Sequence, residues 1–217
     1  MQPLNAPPRP VSKPRRYGGP LAVFAVLALV LGGCYLPVRF DAEIELTRAG
    51  YYKMTFDGYI AHVPLYEDLR KGKTTGAQER ERVAVIETDF KRDKGTKSIS
   101  YVRTGLFKVN WVNEGDILKA KMVTFIRRNA NMLSVSYVET SGQITIAGAS
   151  ISKENAQRLT DMKLGMDGQL RIITDAKVVS HNATSVKDNF AKGPKFKTYT
   201  WRIQGFGRSP NLTISLY

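Results

Sequence analysis

Cysteine occurs once in this 217-residue sequence, at Cys34, and histidine twice, at His62 and His181. A single thiol excludes an internal disulfide, so the fold must hold by core packing. Two distant histidines with no second sulfur make no recognisable set of metal ligands. There is no Gly-x-Ser-x-Gly elbow, and Gly165-Met-Asp-Gly168 and Gly205-Phe-Gly207 read as turns rather than phosphate loops. Ser180-His181 near Asp175 has the residue types of a triad. Adjacent strand residues, however, point to opposite faces and cannot pair. These gaps point away from an enzyme and from any bound cofactor or metal.

Long apolar runs are also missing. Leu21–Leu31 is uninterrupted but far short of the ~20 residues that span a bilayer. Ahead of it stand Arg9, Lys13, Arg15 and Arg16 with no acidic residue, in a stretch rich in proline. Behind it come Gly32, Gly33 and Cys34. A basic segment, an apolar segment and a small-residue end are the parts of a secretory signal peptide. Leu31-Gly32-Gly33-Cys34 also resembles the lipobox of bacterial lipoproteins, in which cleavage after the residue at Gly33 leaves the cysteine as a lipidated N-terminus. Residues 1–33 are therefore read as a signal peptide that is removed, and residues 34–217 as one lipid-anchored domain. Two alternatives stay open. Extending the run to Val38 gives an uncleaved anchor near the lower limit for spanning, weakened by Pro37 and the glycines. An ordinary signal peptide with a chance cysteine is the other.

Removing the leader leaves 29 Lys and Arg against 19 Asp and Glu. Export makes nucleic acid an unsuitable partner, so the positive surface is matched instead to anionic lipid headgroups or another acidic polymer. Simple solubility is the competing explanation.

Along the mature part, Phe40, Ala42, Ile44 and Leu46 alternate with charged residues, and Tyr52, Met54 and Phe56 repeat the pattern after Arg48-Ala-Gly50. That is a β-hairpin beginning almost at Cys34. Pro64–Lys71 suits a short helix. Thr75-x-x-Gln78 reads as a capping box opening a helix to about Phe90, with Val83, Ile86 and Phe90 on one face. Strands follow around Ile99–Tyr101 and Phe107–Trp111, a turn at Asn113–Asp116, and a long strand Ile117–Arg128. Further strands are Met132–Glu139, Gln143–Ala147, Leu170–Asp175, Lys177–Asn182, Tyr199–Gln204 and Leu212–Tyr217. A helix starts at the Ser152 cap and stops near Gly165, and Lys187–Lys197 forms a basic loop. The expected class is α+β: a large curled antiparallel sheet in meander order, with closure toward a barrel left open, and two inserted helices.

In the expected strand Ile117–Arg128, odd positions carry Lys119, Lys121, Phe125 and Arg127, basic at both ends and apolar between. An amphiphile with an anionic headgroup wants that mixture, which makes these four the candidate lipid contacts. An exposed sheet face with snorkelling lysines is the plain alternative.

Val178-Val-Ser-His-Asn182, then Thr198-Tyr-Thr-Trp201-Arg-Ile and Leu212-Thr-Ile, resemble the closing strands of the LppM-type lipoprotein domain. The lipobox cysteine leading straight into a hairpin fits the same family. The resemblance implies a β-rich domain with helices and a role in binding envelope lipids or lipid-like molecules, and it implies no catalytic residues. Related domains continue into a C-terminal transmembrane helix, whereas this sequence ends at Tyr217, which leaves the lipid on Cys34 as the expected anchor. The expected location is the cell envelope. Three functions remain: a binding module for an anionic amphiphile, an accessory subunit docking on an envelope protein partner, and a hydrolase of envelope polymers.

Overall fold

The computed structural model describes Tyr35–Tyr217 except residues 128 and 129, and no side chain from 126 to 131. The segment expected to be a signal peptide, with Gly33 and Cys34, lies outside the described residues. In chain order the elements are β1 (Tyr35–Leu46), β2 (Tyr51–His62), α1 (Val63–Arg70), α2 (Gly76–Lys91), β3 (Thr96–Arg103), β4 (Leu106–Asp116) and α3 (Ile117–Ala120). Then come β5 (Met122–Arg127), β6 (Ala130–Val138), β7 (Gln143–Gly148), α4 (Lys153–Asp161), β8 (Asp167–Thr174), β9 (Lys177–His181), β10 (Ser185–Asp188), β11 (Lys197–Gln204) and β12 (Asn211–Ser215).

The α+β class holds, but the strands divide between two sheets and neither closes into a barrel. One has the order β10-β11-β8-β1-β2-β4-β3, the other β5-β6-β7-β12-β9. Pairing is antiparallel except between β1 and β8, which run parallel from Arg39 opposite Asp167 to Leu46 opposite Thr174. The meander therefore breaks where the chain returns to lay β8 beside β1.

Alternation places Ala42, Ile44, Leu46, Met54, Phe56, Val109, Trp111, Ile172 and Trp201 on the inner face of the larger sheet. They meet Phe125, Val135, Ile144, Ile146, Leu212 and Ile214 of the smaller one in a shared core. Phe125 stacks on Phe56 at 4.4 Å and tilts against Trp111 at 5.0 Å, a direct aromatic link between the sheets. The opposite face of the larger sheet is wet and charged. There Arg171 holds Asp41 through both terminal nitrogens (2.6 and 2.9 Å) and Glu43 through Nε at 2.9 Å.

α2 starts as expected. Thr75 accepts from the Gln78 N–H, the Gln78 side chain accepts from the Thr75 N–H, and Ile86 and Phe90 are buried in the core. α4 is capped by Ser152, and its Leu159 joins a second, smaller cluster with Leu36, Ala61, Val63, Tyr66 and Leu164. Tyr66 ties the two helices of that cluster by donating to the Met162 carbonyl.

Two local expectations are corrected. Asn113–Asp116 is the end of β4, paired with Tyr51–Met54, and not a turn. Ile117–Arg128 is not one strand. Asp116 caps a single helical turn by accepting from the Leu118 N–H at 2.9 Å, Ile117 is buried, and the Ile117 N–H donates to the Gly50 carbonyl. Lys121 then takes φ 60° to reverse the chain into β5. The short helix α1 occurs where Pro64 placed it. The basic loop opens on the last two residues of an edge strand, β10, paired with β11.

Candidate functional site

The turn of helix at α3 disperses the four residues read as one basic and apolar face. Lys119 is almost fully exposed, 3.6 Å from Asp116. Lys121 lies 2.9 Å from Glu139 and 5.0 Å from the centre of the Tyr137 ring. Exposed pairs of this kind contribute little to stability. Both lysines sit beside the β1–β2 turn, where Leu118 packs so close to Gly50 that a Cβ there would lie 2.6 Å from it. Arg127 closes β5 opposite Ala130, and its side chain is outside the described residues. Phe125 faces inward. It lines a cavity.

That cavity, about 270 Å³, lies between the sheets and just below the ~300–1,000 Å³ typical of ligand sites. Its walls are apolar: Phe40, Ala42, Phe56, Phe125, Leu170 and Trp201, with Gly205–Pro210 forming the rim. The space has a local cause. Phe40 on β1 is flanked in register by Gly58 on β2 and Gly168 on β8. A Cβ at Gly168 would come within 2.7 Å of the Phe40 ring, so glycine lets that ring lie over β8. Ala42, one step along the same face, is too small to reach the opposite sheet. At the rim, Gly148 makes room for Pro210, which would stand 2.9 Å from a Cβ.

A polar clasp stands at one side of the cavity. Asn182, just past β9, accepts at Oδ1 from the Trp201 indole N–H (2.7 Å) and the Asn211 N–H (2.8 Å). Its amide donates to the Ser209 carbonyl at 2.8 Å. One side chain thus joins the smaller sheet, the larger sheet and the rim loop. The cavity shares Ile151, Asn182, Gly207, Arg208 and Ser209 with an open shelf of about 450 Å³ that adds Ser150, Ser180, His181 and Asn211. Arg208 is exposed and forms no ion pair among the described residues. The arrangement is an apolar chamber beside a shelf of hydroxyl, amide and guanidinium groups.

The shelf does not assemble a triad from Ser180, His181 and Asp175. His181 Nδ1 accepts from the Ala183 N–H at 3.1 Å, and its ring stands edge-on to Tyr199 at 5.0 Å. Asp175 accepts from the Arg48 N–H at 2.7 Å, in the turn at the other end of β9.

The second histidine fixes the start of the domain. His62 Nδ1 accepts from the Leu65 N–H at 3.2 Å, capping α1. Its ring meets Tyr35 edge-on at 5.1 Å, and Tyr35 meets Phe90 at 5.4 Å. Burial, reinforced by the positive charge of Arg82 and opposed by Asp68, pushes His62 down to about 4. The ring that caps the helix is therefore neutral at neutral pH.

Sequence reasoning placed Asn182 at a strand end and Trp201 among the core aromatics, and passed over Arg208 and Ser209. Gly205-Phe-Gly207 was legible as a turn, but not as the rim of a chamber.

No family model and no curated protein matches the sequence. Among solved structures, the folded domain of LppM from Mycobacterium tuberculosis, determined by NMR, superposes with a TM-score of 0.43 at 11% identity. The match covers 82% of this chain and 88% of that one. At that TM-score the likeness carries no argument about ligand or partner.

Proposed function

We propose that this protein is an exported lipoprotein of the bacterial cell envelope, held to a membrane through acyl chains on Cys34, and that it binds an anionic amphiphile without catalysing a reaction. The acyl part of the ligand occupies the chamber between the sheets, and its headgroup rests near Arg208. The observation that carries this reading is the unfilled apolar chamber bordered by a polar shelf. A purely structural domain gains nothing from leaving such space, because unfilled core volume lowers stability. The lipobox and the basic mature charge supply the location and the sign of the ligand.

A second reading is supported by the edge of the larger sheet. β10 is short and wholly exposed, and Phe190 just beyond it is 75% exposed. An accessory subunit could add a partner's strand there. Crosslinking in cells that captures one stoichiometric partner through residues 185–190 favours this reading.

Two variants test the proposal. Fatty-acid labelling is expected to mark the protein, and Cys34→Ser is expected to lose both label and membrane retention. Ala42→Leu places its added carbons in the chamber, at a cost of about 1–3 kcal/mol in stability. Native mass spectrometry of protein extracted from membranes is expected to show bound lipid on the wild type and none on Ala42→Leu. Lipid on neither protein removes the binding function.

A further inference from the structure

We infer that the chamber stands against the same bilayer that holds the chain's own anchor, and exchanges ligand with it directly rather than through water. The inference rests on the lipidation and binding just proposed. It follows from how early β1 is paired. β1 pairs from its first residue, Tyr35 opposite His62, and the Tyr35 ring is held against His62 and Phe90. Cys34 is therefore one peptide unit, ~3.8 Å between Cα atoms, from a fixed point of the fold. No flexible tether separates the anchor from the domain.

The chamber is at that same end. Pro37 and Phe40 line it, and Pro37 can lie no more than about 11 Å of chain from Cys34. Parallel pairing sets the start of β8 beside Arg39 and Phe40, and antiparallel pairing of β11 with β8 returns Gln204 to Asp167. The rim loop Gly205–Pro210 consequently emerges at the end where the anchor enters. One leaflet's hydrocarbon is ~15 Å deep, half the ~30 Å core. An anchor only about 11 Å of chain away thus keeps the chamber within a lipid's own length of the membrane surface.

Exposed cations stand at both ends of this axis, Arg48 and Lys53 at the far end among them. At the far end of β1, about 36 Å away for a strand of this length, Lys119, Lys121 and Lys192 are matched to Asp116, Glu139 and Glu45. At the anchor end, Arg39 and Arg208 are exposed and form no ion pair among the described residues, with Asp167 as the nearby carboxylate on β8. Free guanidinium groups at that end suit a surface of anionic headgroups.

The test uses full lipidated protein reconstituted in phosphatidylcholine vesicles that contain pyrene-labelled phosphatidylglycerol. A flexible Gly/Ser spacer of twenty residues inserted between Cys34 and Tyr35 gives a root-mean-square reach of roughly 25 Å. The spacer variant is expected to stay membrane-bound and to bind the probe in detergent like the wild type. Its loading from the vesicle is expected to slow about tenfold as the local concentration of bilayer at the mouth falls. Loading at the wild-type rate overturns the inference while leaving binding intact. Failure of both proteins to bind the probe in detergent overturns the binding function itself, and this inference with it. An independent variant, Arg39→Glu, outside the chamber lining, is expected to slow loading several-fold from vesicles rich in anionic lipid and much less from neutral ones. Equal rates on both surfaces contradict the orientation.

Discussion

Replacing Asn182 with alanine is expected to destabilise the domain by about 3 kcal/mol, because it strands three groups at once. The Trp201 indole N–H, the Asn211 N–H and the Ser209 carbonyl all lose their partner in a partly buried setting. Trp201 is itself only 4% exposed, so its N–H has little access to water as a substitute. Trp201→Phe removes one donor and trims the ring, so its cost is smaller, about 2 kcal/mol for the lost hydrogen bond and the space left behind. Urea denaturation of both single variants and the double variant gives the coupling. A double-mutant cycle that closes on about 1 kcal/mol or more supports the clasp, and additive losses contradict it. Loss of the clasp also frees the rim loop from the smaller sheet, so Asn182→Ala is expected to release bound amphiphile faster than Trp201→Phe.

Acid is expected to weaken the fold through His62. Its pKa in the folded chain, about 4, lies below the unfolded value of 6.5, so the unfolded chain takes up the proton first. The full stability is present above about pH 6.5, falls as the pH drops, and stops falling near pH 4, where the folded ring protonates too. The whole drop from this one group is on the order of 3 kcal/mol. Protonation also destroys the acceptor that caps α1, since Nδ1 can no longer take the Leu65 N–H. His62→Asn keeps a capping acceptor that does not titrate. Unfolding measured at pH 7 and pH 4.5 should show the wild type losing more stability than His62→Asn. Equal losses would mean that His62 is not held neutral. The test bears on function because His62 and Tyr35 together pin the first strand beside the proposed anchor.

Much of the fold was legible wherever a local rule acts within a few residues. The β1–β2 hairpin followed from strict alternation about Gly50, and α2 and α4 followed from Thr75, Gln78 and Ser152 at their caps. The division into two sheets was not legible, because alternation tells which face of a strand is buried but not which strand lies beside it. The parallel pairing of β1 with β8 joins residues more than a hundred positions apart, and no local signal specifies it. The false strand at Ile117–Arg128 has a different cause. Its apolar and basic residues fit period two, yet Asp116 as an N-cap and the close approach of Leu118 to Gly50 stabilise a helical turn instead. That turn carries Lys119 and Lys121 away from Phe125, so the candidate face never forms. The chamber itself depends on Gly58, Phe40 and Gly168 standing in one row across three strands. Each is unremarkable in sequence, and only the register gives them a shared role.

Binding of an amphiphile inside the chamber is tested most directly by the fluorescence of Trp201, which lines the chamber wall, whereas Trp111 does not. Vesicles containing phosphatidylglycerol with brominated acyl chains quench an indole only on close contact. Loading from them is expected to remove about half the emission of the two tryptophans, and to leave Ala42→Leu unquenched. Undiminished Trp201 emission while the labelled lipid is bound would place the ligand elsewhere and contradict the account.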